Sequence, residues 1–562
     1  MSSTPSEKIV EYHTLQRKFF ESTKTRSVEW RKDQLRKIVS FCTECGTVIA
    51  DALTKDLGKT AFEGEVTEIE VTKLEALEAI ECLDSWSATE YVPAPGALMP
   101  SFCEMRKEPR GVTLVIGPFN YPFSTGFGPA VSALAAGNTC IIKPSEMCPA
   151  TDKVLRECIP KYFKPEVLAV VSGGIPETTK LMELEWDMIF FTGSERVGKI
   201  IAGAAAKTLS PVILELGGKS PLIISKEMPE LQAMANRIIW GKTINAGQTC
   251  VAPDYVLVQE ENIEAVLEAF KISLESMFGR TNEQIKNSTF SRNVSVEHTK
   301  RLLSMIDDAK SHGGKVIAGG SEYGDAEAKY FPPTIIYNPG PKSKVLTEEI
   351  FGCILPIIPY KTNGDAIRYV NSMRGTPLAL YVFTRIREHF DFFMDAIPSG
   401  GAVHNDVLLH FACSTIPFGG MGTSGYGKGH GKHGFDSFTH TRGVLSKPCK
   451  EIFEFGGIRY PPYDRYGGFS GPLFKFLVAK LPNIPVMHST ALYYGAYALG
   501  CFGTMYFVYN FSGAEPREDA KASVNGLTKF IGELFVDLGK WIGGDALARS
   551  MARQAAQTCR AE

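Results

Sequence analysis

The sequence predicts an α/β protein built on mostly parallel sheets with helices on both faces, and three observations predict it. From Gly111 onward, short apolar runs rich in β-branched residues recur: "VTLVIG", "TCIIK", "VLAVV", "MIFF" and "VILEL". Helix-like stretches such as "AVSALAAG" and "TDKVLRECI" separate them. Glycines close several of the runs, as in "VVSGG", "FFTGS" and "LELGG". Alternation at this spacing requires crossover connections and therefore parallel strands covered on both sides.

The elements follow in order. Two long charged helical patterns open the chain, over roughly 8–55 and 60–88. Residues 90–111, "EYVPAPGALMPSFCEMRKEPRG", are rich in Pro and Gly and read as an excursion or hairpin. The strand and helix alternation comes next. A chain of 562 residues has ample length for a large core and for several domains or two large ones. Lys and Arg number 60 against 62 Asp and Glu, with no long block of one sign. That balance argues against nucleic-acid binding, which needs a clustered basic surface. Thirteen dispersed cysteines fit free thiols in a reducing, intracellular compartment. Cys42 and Cys45 have metal-like spacing but no second pair, and they share helix spacing with Leu35, Ile38 and Val39, so they read as core. No metal site is expected. The opening "MSSTPSEKIVEYHTLQRKFF" lacks the pattern of a secretory signal, so the sequons at Asn287, Asn293 and Asn510 are expected to be idle.

Two phosphate-loop patterns require a decision. Gly193-Ser-Glu-Arg-Val-Gly198-Lys199 follows the strand "MIFF" and opens a helix, where free N–H groups and the helix dipole favour an anion. A triphosphate loop would next need a hydroxyl for magnesium, and Ile200 supplies none. The second, Gly429-His-Gly431-Lys-His-Gly434, matches G-x-G-x-x-G within a long glycine-rich stretch that has no evident preceding strand. It is discounted as a dinucleotide fingerprint, and His430 and His433 read as loop histidines.

The chemistry gathers around "KTINAGQTCVAPDY". Cys250 follows Gly247, Gln248 and Thr249, small and polar neighbours unlike those of a core cysteine. Glu215 ends a strand just before a double glycine, and Asn120 in "GPFNYPF" follows another strand with an amide able to donate to an oxyanion. Nucleophile, base, oxyanion donor and phosphate loop then converge at one sheet edge.

These segments, with "GNTCIIKPSE", "LTEEIFG", "IPFGGMGTSGYGKGHGKHGFDSFTH" and "IRYPPY", resemble the aldehyde dehydrogenases, in particular the class 3 branch that includes fatty aldehyde dehydrogenases. The match runs in family order over roughly residues 5–465. It implies Cys250 as nucleophile, Glu215 as general base, and Asn120 with the Cys250 backbone N–H as oxyanion hole. It implies Lys143 and Glu146 at the adenosine ribose, Gly193, Ser194 and Gly198 in a dinucleotide loop, and Glu349 and Phe351 at the nicotinamide ribose. NAD is the expected cofactor, with NADP possible, and a homodimer the expected assembly. Two departures are visible: Cys353 where Pro is usual, and Phe119 where Trp is frequent.

The implied organisation is a dinucleotide-binding domain over 1–214 with an oligomerisation hairpin near 88–110, and a catalytic domain over 215–400. Residues 401–465 return to the cofactor region, and 466–562 form a hydrophobic tail. From His488 to Ala514 there is no Asp, Glu, Lys or Arg, so 490–511 is a candidate membrane segment. The expected location is a cytosol-facing membrane, or the cytoplasm if the tail is no anchor. The expected reaction is NAD(P)-dependent oxidation of medium- to long-chain aliphatic aldehydes. Two other readings stay open: a catalytically idle membrane scaffold, and an acylating enzyme that needs coenzyme A.

Overall fold

The computed structural model describes residues 3–94, 98, 101–449 and 460–462. The expected membrane segment at 490–511 lies outside these residues. The chain divides into two units, Met1–Glu90 with Glu104–Val444, and Tyr91–Cys103 with the residues from Leu445. Both large sheets belong to the first.

The first sheet has six strands in the order Gly425–Tyr426, Val212–Leu216, Met188–Gly193, Val112–Ile116, Thr139–Lys143, Leu168–Val170. All are parallel except the edge strand Gly425–Tyr426, which runs antiparallel with Gly425 opposite Glu215. Counted in chain order, the five parallel strands lie 3-2-1-4-5, the doubly wound arrangement whose order reverses between Val112–Ile116 and Met188–Gly193. Alternate residues serve opposite faces. Val115, Ile142, Phe190 and Ile213 join one apolar cluster, and Leu114, Ile141, Ile189 and Leu214 join another. Burial on both faces is why these strands read as continuous apolar runs.

The second sheet has seven strands: Lys315–Ala318, Thr334–Tyr337, Ile354–Tyr360, Tyr255–Gln259, Pro221–Ile224, Ala379–Phe383 and Gly401–His404. Only Lys315–Ala318 pairs antiparallel. The chain passes from the first sheet to the second between Leu216 and Pro221, immediately after Glu215.

The opening helical region breaks where periodicity alone did not divide it. Helix Ser6–Glu21 ends, Thr23 takes a left-handed φ of 62°, and Ser27 starts helix Val28–Leu57 by accepting the Trp30 N–H at 3.3 Å. Gly58, with φ 65°, ends that helix. Its buried stripe includes Leu35, Ile38, Cys42 and Cys45, so the cysteine pair is core, as expected. The expected excursion at 90–111 contains the strands Glu90–Val92 and Phe102–Pro109.

Ile38 is fully buried in the cluster that joins this helix to the first sheet. Ile38→Ala is therefore expected to cost about 2–5 kcal/mol, read as a lowered urea midpoint for loss of tertiary signal. An unchanged midpoint would show that the helix does not share the sheet's core.

Candidate active site

The edge formed by the carboxyl ends of the first sheet collects the expected cofactor residues. Gly193 ends its strand, and Ser194 caps helix Glu195–Ala205 by accepting the Val197 N–H at 3.4 Å. A Cβ on Gly193 would lie 2.6 Å from the Phe191 ring, and one on Gly198 would lie 2.7 Å from Leu216. The first glycine keeps the turn tight and the second lets the helix lie close to the strand. Lys143 ends the neighbouring strand Thr139–Lys143, nearly buried, with Nζ 2.6 Å from Glu146. Burial raises the Glu146 pKa, but the hydrogen bond and charge of Lys143 more than offset it and hold the carboxyl below its ordinary value. Glu349 accepts the Gly218 N–H at 3.0 Å. Burial brings its carboxyl up to about 7, with Asp254 adding while the Gly218 N–H, Lys219 and Arg301 pull it down. A Cβ on Gly217 would lie 2.3 Å from the Glu349 oxygens, which is one reason for a double glycine there. Phe351, at a left-handed φ of 50°, meets Phe119 edge to face with centroids 5.6 Å apart. A helix amino end, a tight glycine turn and a Lys–Glu pair at the reversal point fit a dinucleotide.

Cys250 and Glu215 line one cavity. Its walls also include Pro129, Phe190, Phe411 and Phe418, which supply apolar surface beside the sulfur. The loop bearing Cys250 is held from below. Gln248, fully buried, donates to the carbonyls of Asn245 and Arg292 at 3.0 Å each and accepts the Val294 N–H at 2.9 Å. Tyr381 Oη donates to the Val251 carbonyl at 2.6 Å, and Lys242 Nζ to that of Pro253 at 2.9 Å. Burial pushes the thiol of Cys250 up to about 12; the charges of Glu215 and Glu349 add, and the N–H groups of Cys250 and Val251 oppose. Glu215 is buried with neither carboxyl oxygen hydrogen-bonded among the described residues. Burial raises its carboxyl well above the ordinary range. The pair is thus a protonated thiol beside a strengthened base, the setting for nucleophilic catalysis.

Asn120 sits just past the end of strand Val112–Ile116 and is buried. It does not line the cavity shared by Cys250 and Glu215. Hydrogen bonds join its turn to the cysteine loop: Asn245 Nδ2 donates to the Asn120 carbonyl at 2.6 Å, and Tyr121 Oη lies 2.8 Å from Thr249 Oγ1.

The cavity is also lined by Glu75, which the sequence reading did not single out, and by His430, which it read as a loop histidine. His430 lies 3.6 Å from Glu75 and packs against Phe411 with centroids 4.6 Å apart. Glu75 also accepts the Gly431 N–H at 3.3 Å. The glycine-rich stretch around them is more ordered than the expected loop: Gly425–Tyr426 is a strand and Gly431–Ser437 a helix. Phe119, one of the two departures from the family pattern, faces Phe351 and His298 and does not line this cavity.

A two-sheet α/β protein with a half-buried cysteine and a buried glutamate in one cavity, next to an edge that fits a dinucleotide, has the parts of an oxidoreductase. Residues 5–444 match the model of the aldehyde dehydrogenase family. The chain is 41% identical to aldehyde dehydrogenase family 3 comG of Dictyostelium discoideum, covering 80% of this chain and 93% of that protein. It is 39% identical to the 4,4'-diaponeurosporen-aldehyde dehydrogenase of Staphylococcus aureus, covering 81% and 97% respectively. A solved aldehyde dehydrogenase of Mycobacterium tuberculosis, complexed with NAD+, superposes with a TM-score of 0.72 at 25% identity, covering 80% of this chain and 92% of that one. The chain belongs to the aldehyde dehydrogenase family. It is an NAD(P)-dependent aldehyde oxidoreductase similar to the family 3 members.

The raised pKa of Glu215 carries a stability consequence. Below the ordinary carboxylate range the group is protonated both folded and unfolded, and no penalty arises. As pH rises through that range toward the raised folded value, the unfolded chain ionises first and stability is lost. Glu215→Gln is therefore expected to raise the thermal midpoint at neutral pH and to lose that advantage in acid. A midpoint that falls at neutral pH would mean that the carboxylate is stabilised by contacts absent here.

Proposed function

We propose that the enzyme oxidises medium- to long-chain aliphatic aldehydes to carboxylic acids through an intermediate on Cys250. The observation that carries this reading is the shared cavity: a half-buried cysteine, a buried glutamate with no hydrogen-bond partner among the described residues, and aromatic wall residues. Glu215 takes the thiol proton as the sulfur attacks the aldehyde carbon, and the proton passes to solvent through the cavity. Asn120 donates from its side-chain amide to the developing oxyanion, with the Cys250 backbone N–H as its partner. A nicotinamide held at this edge would supply the hydride acceptor for the thiohemiacetal carbon on Cys250. Carbon–hydrogen cleavage leaves a thioester on Cys250. Glu215 then removes a proton from water, the new oxygen–carbon bond forms, the carbon–sulfur bond breaks, and the acid leaves with the sulfur restored. A glutamate at this position supports hydrolysis over transfer to coenzyme A.

Lys143 and Glu146 would hold the adenosine ribose, Gly193, Ser194 and Gly198 the pyrophosphate side, and Glu349 and Phe351 the nicotinamide ribose. The Glu146 carboxylate suits a free ribose 2′-hydroxyl and favours NAD over NADP. Support for chain-like apolar substrates comes from Phe190, Phe411 and Phe418 beside the cysteine and from the aldehyde named for the Staphylococcus aureus relative. The uncharged stretch from His488 to Ala514 supports attachment to a cytosol-facing membrane, where such aldehydes partition. Among the described residues no helix is long and apolar enough to cross a membrane. The excursion at 88–110 is the proposed dimer contact.

Purified protein in mild detergent, given NAD and either hexanal or hexadecanal without coenzyme A, is expected to form reduced nicotinamide, with the higher kcat/KM for hexadecanal. Cys250→Ala should lower the rate by about 10³-fold or more. No turnover by folded protein with either nicotinamide cofactor would overturn the reading; a strict need for coenzyme A would replace hydrolysis by acyl transfer. Because Glu215 works unprotonated, kcat should fall on the acid side at a pH above the ordinary carboxylate range. A rate that holds down to that range would remove Glu215 from the role of base.

A further inference from the structure

We propose that a buried ion pair, Lys59 with Glu68, positions the oxyanion donor against the nucleophile, and that Glu63 on the same segment completes the brace. The inference rests on the roles proposed above for Asn120 and Cys250.

Lys59 and Glu68 are both fully buried, with Nζ 2.5 Å from Oε1. Burying two charges costs several kcal/mol per ion, and apolar replacements of such pairs are often neutral or stabilising, so stability alone is a weak reason for it. The remaining contacts of the pair converge on one turn. An ammonium has three protons to place. Beyond Glu68, Lys59 Nζ donates to the Asn120 carbonyl at 3.3 Å and stands 4.0 Å from the centroid of the Tyr121 ring. The second oxygen of Glu68 accepts the N–H groups of Phe123, at 2.7 Å, and Ser124, at 3.2 Å. The turn is therefore clamped at the carbonyl of Asn120 and at the amides that follow it. The Asn120 side-chain amide makes no hydrogen bond of its own among the described residues, so its aim is set through this backbone.

The segment also reaches the cysteine loop. Glu63 accepts the Asn245 N–H at 2.8 Å, and its other oxygen accepts from Ser291 Oγ at 2.7 Å. Asn245 and Ala246 hold left-handed φ values of 52° and 53°, a conformation strained for Ala246 and uncommon for Asn245, so the loop needs outside restraint. Asn245 then returns the restraint by donating to the Asn120 carbonyl. Glu68 lies in a π-helical turn, Glu65–Ile69, between two α-helical segments. Such turns recur at functional sites because they redirect side chains within a helix. One ten-residue stretch thus grips both the donor turn and the nucleophile loop.

The test is a double-mutant cycle on the full-length enzyme. Lys59→Met with Glu68→Leu removes both charges together and avoids stranding one of them. In the otherwise unaltered enzyme this pair should lower kcat with the aldehyde about 10–100-fold, the scale expected of a misplaced reacting group, while the KM for NAD stays within about twofold. In an Asn120→Ala background the same pair should cost no more than about twofold, because the residue through which it acts is gone. Should the paired variant fail to fold, Glu68→Gln, which keeps the shape and an acceptor oxygen, takes its place in the cycle with the same non-additivity expected. Equal losses in both backgrounds, or no loss in an active enzyme, would overturn the positioning role and leave the reaction assignment intact. An unaltered enzyme that oxidises no aldehyde would instead overturn that assignment.

Discussion

A carboxyl group is buried at Glu215 without a hydrogen-bond partner among the described residues, and much of the surrounding structure keeps it there. The strand that carries it lies between Met188–Gly193 and the edge strand Gly425–Tyr426, so the residue is inside a ladder on both sides. The glycine-rich return closes that edge. Gly425 faces Glu215 at φ 121°, and a Cβ there would stand 1.9 Å from the Leu214 carbonyl oxygen, so no larger residue allows the strand to approach. A base of this kind costs stability as a charge and gains strength as a proton acceptor for the same reason, which is desolvation.

The same edge of the first sheet supplies the other components. Strand ends deliver Asn120, Lys143 and Gly193, and the crossover after Glu215 leads into the second sheet, whose strand Tyr255–Gln259 follows directly from the cysteine loop. In the proposed reading, chemistry and cofactor binding share this border because parallel strands leave their carboxyl ends, and the helix amino ends beside them, all on one side.

The legible part of this arrangement was local. Apolar runs of four to six residues marked the strands, and Gly193 to Lys199 marked the turn from strand to helix even though Ile200 argued against a triphosphate site. Cys250, Glu215 and Asn120 stood in settings that each suggested chemistry, and the family resemblance ordered them into roles. The rest depended on contacts distant in sequence. Glu63, Glu68 and Glu75 lie in a charged helical pattern whose ordinary reading is a solvated face, with Lys59 just before it, yet Lys59 and Glu68 are fully buried. Lys59 and Glu68 pair nine residues apart, but the turn they grip lies 55 to 61 residues further on, and no periodicity reveals that contact. Gly425–Tyr426 is a two-residue strand defined by its pairing to Leu214 and Glu215, so the stretch reads as loop until that neighbour is known.

The central claim is that Glu215 acts as the base that frees an acyl group from Cys250. Mass spectrometry of Glu215→Gln, mixed with NAD and hexadecanal and quenched within one turnover, tests it most directly. The account predicts reduced nicotinamide equal to the active sites, with a hexadecanoyl group accumulating on Cys250. Wild-type turnover by this variant, or reduced nicotinamide with no adduct on the cysteine, would contradict it.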